Sequence, residues 1–75
     1  MTQTLSTREP SIVEWLQLIR AEYVEIPGLH LTERQVERMW GLDTLMCMSL
    51  LHVLVDTGFL RRTIGGAYIR VGAGR

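Results

Sequence analysis

The segment GFLRRTIGGAYIR, residues 58–70, carries the densest group of side chains able to bind a ligand in this 75-residue chain. It contains Arg61, Arg62 and Arg70 and no acidic residue. Guanidinium groups stay charged at neutral pH and donate paired hydrogen bonds to phosphate or carboxylate oxygens. The segment therefore predicts an anion-binding surface. The alternative is that these arginines only solvate the edge of a small sheet.

Charge is divided unevenly along the chain. Residues 1–56 contain four arginines and eight acidic residues, whereas residues 57–75 contain four arginines and none. The formal net charge of zero argues against a strong nucleic-acid binder. The asymmetry nevertheless indicates an anionic partner for the C-terminal end.

Other kinds of chemistry have little support in the sequence. His30, His52 and Cys47 are too few and too irregularly spaced for a zinc site, and Cys47 fits a small buried hydrophobe. No nucleophile adjoins His52 and Asp56, and no phosphate-loop glycine pattern is present. We therefore expect no catalytic residue, metal or cofactor. A single cysteine, no apolar run of about 20 residues and no signal-like start predict a cytoplasmic protein away from the membrane.

These residues need a scaffold, and the sequence predicts one α+β domain over residues 10–72, with flexible tails at 1–9 and 73–75. Three helices are expected, each opened by a residue whose side chain satisfies free backbone N–H groups. The predicted caps are Ser11 with Glu14, Thr32 with Gln35, and Asp43; the predicted ends are Glu25, Gly41 and Gly58 (after a last helical residue near Thr57). A short extended segment is expected at 29–31.

Apolar residues three and four positions apart predict the sides of the helices that face the core. These inward positions are Ile12, Trp15, Leu16, Ile19 and Tyr23 in the first helix, Val36, Met39 and Trp40 in the second, and Met46 or Cys47, Leu50, Leu51, Leu54 and Val55 in the third.

The Gly65-Gly66 pair predicts a two-residue hairpin turn, which places Arg61 opposite Arg70 and Leu60 opposite Val71. The face toward the helices then carries Leu60, Arg62, Ile64, Ala67, Ile69 and Val71, and the face toward solvent carries Phe59, Arg61, Thr63, Tyr68 and Arg70. Like charges facing each other across a strand pair are destabilising. We therefore expect an anion to lie between Arg61 and Arg70, extended by Arg62 and Tyr68, unless both arginines splay into water.

The segment LTERQVERMWGLDTLMCMSLLHVLVDTGFLRRTIGGAYIR resembles the winged helix-turn-helix domains of small bacterial regulators of the ArsR and MarR type. Leu54, Gly58, Phe59 and Leu60 match the family pattern at the end of the third helix. The resemblance implies an α+β winged helix-turn-helix fold with a C-terminal two-stranded wing. It also implies a DNA-binding transcriptional regulator, with the wing arginines on the phosphate backbone and the third helix at the major groove of double-stranded DNA.

The third helix departs from that family because it contains no Arg, Lys, Asn or Gln. Its expected outward positions are Thr44, Leu45, Met48, Ser49, His52, Val53 and Asp56. Of these, Thr44, Ser49 and His52 are the polar candidates for base contacts, and Leu45 and Met48 suit a thymine methyl group. Arg34 and Arg38 of the second helix are candidates for the DNA backbone, or they form ion pairs with the neighbouring glutamates.

An alternative function is a winged-helix interaction or dimerisation module without sequence-specific DNA reading. Surplus apolar residues on the first and third helices suggest a surface for a second copy or a partner protein. The candidate interface residues are Val13, Trp15, Leu18, Leu45 and Val53, with Met48 and Val24 beside them. Scattered exposed apolar residues of a small domain are the simpler explanation.

Overall fold

The computed structural model describes residues 11–72, so the expected tails at 1–9 and 73–75 lie outside the described residues. The described part is an α+β domain with three helices and a small three-stranded antiparallel sheet. The elements are α1 (Ile12–Glu25), β1 (His30–Thr32), α2 (Glu33–Trp40), α3 (Thr44–Asp56), β2 (Leu60–Arg62) and β3 (Ala67–Arg70).

The predicted helix boundaries are confirmed by their caps. Ser11 and Glu14 form a reciprocal capping box at α1, and Thr32 and Gln35 form another at α2. Asp43 accepts a hydrogen bond from the backbone N–H of Met46 at 2.7 Å and so opens α3. Side chains that accept these N–H groups replace the missing hydrogen-bond partners of a helix start, which is why each helix begins at that residue.

A three-residue link, Gly41-Leu42-Asp43, joins α2 to α3. Gly41 adopts the left-handed conformation with φ of 66°, which a residue with a side chain rarely does, and this ends α2. The two helix axes differ in direction by 113°. No single helix between residues 11 and 72 is long and apolar enough to span a membrane, and α2 and α3 reach that length and composition only as this bent pair.

The sheet has the order β1-β3-β2, with both neighbouring pairs antiparallel. The extended segment expected at 29–31 is therefore a real strand, displaced by one residue, and it hydrogen-bonds β3. Tyr23 connects the sheet to α1, because its hydroxyl donates to the Tyr68 carbonyl at 2.9 Å.

The core lies between the helices and β2. Its buried members are Ile19, Tyr23, Val36, Cys47, Leu50, Leu51, Leu54 and Leu60. Three residues expected in the core are exposed instead: Ile12, Met39 and Val55. Ile12 occupies the first turn of α1 and Met39 the last turn of the short α2, where a domain this small has no further element to cover them. Val55 lies on the flank of α3 rather than on its buried side.

The hairpin register differs from the predicted one by a single residue. Leu60 pairs with Arg70, Arg61 with Ile69, and Arg62 with Tyr68. The expected pairing of Arg61 with Arg70 is wrong, and alternation along the strands places these two side chains on opposite faces of the sheet.

The cause is a loop of three residues, Ile64 to Gly66, instead of two. Within the loop only Gly66 has a positive φ, at 90°, whereas the two-residue hairpin turns of type I′ and II′ both require a positive φ at the first central residue, which would be Gly65. Thr63 stabilises the longer loop, since its hydroxyl accepts a hydrogen bond from the Ala67 N–H at 3.1 Å. Ile64, expected to face the helices, is fully exposed at the loop.

The new register also changes which residues face the core. Tyr68 and Arg70, expected toward solvent, share the face of buried Leu60, and Tyr68 packs against the core cluster. Ile69 and Ala67, expected toward the helices, lie on the face of exposed Arg61. Val71 is exposed as well.

Candidate functional site

The outward face of α3 has the composition that the sequence predicts. All of its expected outward residues are exposed: Thr44, Leu45, Met48, Ser49, His52, Val53 and Asp56. At 3.6 residues per turn, Leu45, Ser49, His52 and Asp56 form the central row, with Met48 and Val53 on opposite flanks. The exposed apolar surface is therefore concentrated at the N-terminal end, where Leu45 is 76% exposed and Met48 53%.

The C-terminal half of this face has little positive charge to offer a phosphate. His52 and Asp56 lie 3.6 Å apart, the single ion pair among residues 11–72, and both side chains are well exposed. A carboxylate at this point repels an approaching phosphate. Thr44, Ser49 and His52 remain the polar groups of α3 that are able to contact a base edge.

The arginines are arranged differently, because none within residues 11–72 has a carboxylate oxygen within 4.0 Å. Arg34 and Arg38 project from α2 and are exposed, so the ion pairs expected with the neighbouring glutamates do not form. Arg61 and Arg62 are exposed on β2. Within the described residues, these four guanidinium groups have no carboxylate partner that would compete with an anion.

Arg62 lies close to the hairpin loop. Its Nη2 atom lies 3.8 Å from the place where a Cβ on Gly66 would stand. The same side chain lines a cleft of about 340 Å³ formed by α2, α3 and the hairpin, together with Tyr68, His52 and the acidic residues Glu33 and Asp56. Arg62, Tyr68 and the polar face of α3 therefore belong to one surface, whereas Arg61 lies on the other side of the sheet.

Sequence reasoning missed a second cluster of arginines at the opposite end of the hairpin. The guanidinium carbon of Arg20 lies 4.4 Å from the centroid of the Phe59 ring, and that of Arg70 lies 5.8 Å from it. The sequence offered no direct signal, because 50 residues separate Arg20 from Arg70. The expectation that Phe59 faces solvent is also wrong, because Phe59 is half-buried and packs against the core cluster.

The candidate partner surface is fragmented. Val13, Leu18 and Val24 are exposed on α1, but helical geometry places Leu18 about a third of a turn away from the other two. Trp15 is half-buried and packs against the core, so it contributes less free surface than expected. On α3, by contrast, the exposed Leu45 and Met48 are three positions apart and lie side by side.

Cys47 is a buried structural thiol, as the sequence predicts. Its Sγ donates to the Glu33 carbonyl at 3.5 Å. Burial, followed by the nearby Glu37 and Glu33 carboxylates, raises the pKa of this thiol to about 11. The thiol stays protonated at neutral pH. Its sulfur and the two carboxylates lie within 4.8 Å of one another, and the carboxylates disfavour the thiolate form that binds metals.

Comparison with known proteins provides no assignment: no protein-family model, no curated protein and no solved structure matches the chain.

Proposed function

We propose that this chain is a winged-helix protein that binds double-stranded DNA. The observation that carries the proposal is the arrangement of α2, α3 and the hairpin. Helix-turn-helix units have two helices at about 90–120° joined by a short turn that often contains glycine, and here a three-residue link with Gly41 joins helices at 113°. The β2–β3 hairpin follows directly and is the wing.

In this proposal the N-terminal half of α3 enters the major groove, as the second helix of a helix-turn-helix does. Thr44 and Ser49 face the base edges there, and Leu45 and Met48 contact thymine methyl groups. The exposed polar and apolar residues of this half support that role. Base discrimination is modest, since the helix lacks the Arg, Lys, Asn and Gln side chains that make bidentate contacts.

Affinity comes from arginines outside α3. Arg61 and Arg62 of the wing, with Arg34 and Arg38 of α2, contact phosphates on either side of the groove. Their lack of carboxylate partners within residues 11–72 supports this role. Phosphate contacts fix position and supply affinity but carry no sequence information directly. The protein therefore binds many duplex sequences with similar strength.

A salt titration of duplex binding tests the proposal. A fluorescent mixed-sequence duplex is titrated with the full chain at several salt concentrations, and anisotropy gives the dissociation constant. The logarithm of the affinity should fall linearly with the logarithm of salt, with a slope of about 0.9 per phosphate contact. The paired substitution Arg61→Ala and Arg62→Ala should lower that slope by about 1.8, which corresponds to two contacts.

The matched control keeps the charge at both positions. Arg61→Lys with Arg62→Lys should retain most of the slope, because an ammonium also neutralises a phosphate. Undetectable duplex binding by the wild-type chain at about 50 mM salt would refute the proposal. An unchanged slope in the alanine variant would show that the wing arginines do not contact DNA phosphates.

A second candidate function is protein docking or self-association through α3. The observation that favours it is the exposure of Leu45 and Met48 side by side at the N-terminal end, since adjacent exposed apolar residues often mark an interface. Absence of duplex binding together with a dimer in light scattering, lost on Leu45→Ser, would support it over DNA binding. A monomer at high concentration argues against self-association.

A further inference from the structure

Two arginines from distant parts of the chain meet at the base of the hairpin, over the ring of Phe59. Arg20 belongs to α1 and is exposed, whereas Arg70 ends β3 and is half-buried. Both guanidinium carbons lie within 5.8 Å of the same ring centroid. At such distances a cation is attracted to the negative face of an aromatic ring.

The ring that gathers these arginines is held from two sides. The Tyr23 ring packs against it in a T-shaped arrangement, with centroids 6.4 Å apart and planes at 86°. The Phe59 carbonyl accepts a hydrogen bond from the Val71 N–H at 2.9 Å, which ties it to the residue after Arg70. Tyr23 lies one helical turn after Arg20 and is buried. The backbone from which each arginine side chain starts is therefore held in place. Ligand binding then has to order only the side chains and not the backbone.

The pair has no counter-charge in the described part of the chain. No carboxylate oxygen of residues 11–72 comes within 4.0 Å of either guanidinium group. Two like charges held near one ring repel each other, and the ring offsets only part of that repulsion. An anion that contacts both groups would convert the repulsion into charge-assisted hydrogen bonds.

We propose that Arg20 and Arg70, gathered over Phe59, form a binding site for a phosphate group. A phosphate has enough oxygens to accept paired hydrogen bonds from two guanidinium groups at once, and arginine is the preferred residue for that geometry. A carboxylate has only two oxygens and less charge than a phosphate dianion.

The site uses different side chains from those proposed to contact DNA. Arg61 and Arg62 lie two and three residues after Phe59, roughly 7–10 Å away at strand spacing. The phosphate is therefore either one of the DNA backbone, outside the groove that α3 enters, or free phosphate or a phosphorylated small molecule. The site does not depend on DNA binding and stands if that proposal fails.

Titration of the full chain with inorganic phosphate tests the site directly. The side-chain Nε–Hε resonances of the arginines are followed by NMR, with sodium chloride at equal ionic strength as the comparison. Arg20 and Arg70 should shift in a saturable way with phosphate and not with chloride, and they should do so at a lower phosphate concentration than Arg61 and Arg62. Arg20→Gln should weaken phosphate binding about tenfold or more, as expected for the loss of hydrogen bonds to a charged ligand.

Two variants control for loss of structure and of charge. Arg61→Gln removes the same charge from the face of the sheet opposite to Arg70, so it should weaken phosphate binding less than Arg20→Gln does. Arg20→Lys keeps the charge but loses the planar donor pair, so it should recover only part of the affinity. It also serves as the readout if Arg20→Gln proves to be unfolded by circular dichroism.

The duplex assay identifies the source of the phosphate. Weaker duplex binding by Arg20→Gln assigns the site to the DNA backbone, whereas unchanged duplex binding with a phosphate response assigns it to a free anion. The proposal is overturned if Arg20 and Arg70 respond to neither phosphate nor duplex, or respond equally to chloride. If the chain binds duplex DNA but Arg20 and Arg70 do not respond, only the phosphate site is refuted. If Arg20 and Arg70 respond to phosphate but the chain does not bind duplex DNA, only the DNA proposal is refuted.

Discussion

The outward face of α3 and the β2–β3 hairpin form the two halves of the proposed DNA surface, and their side chains differ in charge. The α3 face has no arginine or lysine, its C-terminal half carries Asp56 paired with His52, and its N-terminal half is largely apolar. The hairpin carries Arg61, Arg62 and Arg70 with no acidic residue. In this protein, the element expected to read bases lacks strong readers, and the neighbouring element carries the charge.

The difference separates affinity from discrimination. Phosphate contacts act on every sequence alike, while discrimination between base pairs requires donors and acceptors in the groove. Substitutions in the hairpin should therefore weaken binding to all duplexes equally. Substitutions at the N-terminal end of α3 should change the order of preferred sequences more than the average affinity.

The largest expected effect concerns the two sides of α3. Leu50 is fully buried and Leu45 is 76% exposed on the same helix. Leu50→Ala should destabilise the domain by about 2–5 kcal/mol, because it removes core contacts and leaves a cavity. Leu45→Ala should change stability by less than about 0.5 kcal/mol. Urea unfolding followed by circular dichroism measures both. Equal losses in the two variants would contradict the proposed burial of α3.

A smaller effect on stability is expected from substitutions at the two glycines of the hairpin loop. Gly66 has a φ of 90° and Gly65 does not have a positive φ. Gly66→Ala should cost about 1–2 kcal/mol of stability, because a side chain is strained in the left-handed region. A Cβ on Gly65 would meet only Thr63 Oγ1 at 3.9 Å, so Gly65→Ala should be nearly neutral. Thermal unfolding compares the two, and equal destabilisation would favour the two-residue turn and the other register.

The smallest effect concerns the ion pair on α3. His52 and Asp56 lie 3.6 Å apart with side chains 77% and 72% exposed. Pairs this open to solvent contribute at most a few tenths of a kcal/mol. His52→Ala should therefore change the free energy of unfolding by less than about 0.5 kcal/mol at neutral pH. A larger loss in denaturant titrations would mean that this face of α3 is covered in solution and is not free to meet DNA.

Local signals in the sequence were sufficient for the helices. The capping boxes at Ser11 and Thr32, the cap at Asp43 and the left-handed Gly41 fix where helices begin and end through contacts within four residues. The exposed positions of α3 followed from its buried ones by helical periodicity, except for Val55, which was expected in the core and is exposed. The buried state of Cys47 was predicted on the same basis.

The hairpin shows where local signals fail. Gly65-Gly66 is compatible with either a two- or a three-residue loop, and the choice depends on whether Thr63 accepts a hydrogen bond from Ala67. One residue of register decides whether Arg70 faces Arg61 or lies beside Leu60. The only sequence signal for the longer loop was the threonine before the glycines.

The sequence by itself determined the order of the elements, the helix ends and the surplus of arginine at the C-terminal end. These depend on neighbouring residues and on composition. Only the tertiary structure decided which arginines act together, because it brings Arg20 of α1 to Arg70 of β3 through the ring of Phe59. Contacts between residues 50 positions apart depend on the packing of several elements at once. The spacing of residue types along the chain does not predict that packing.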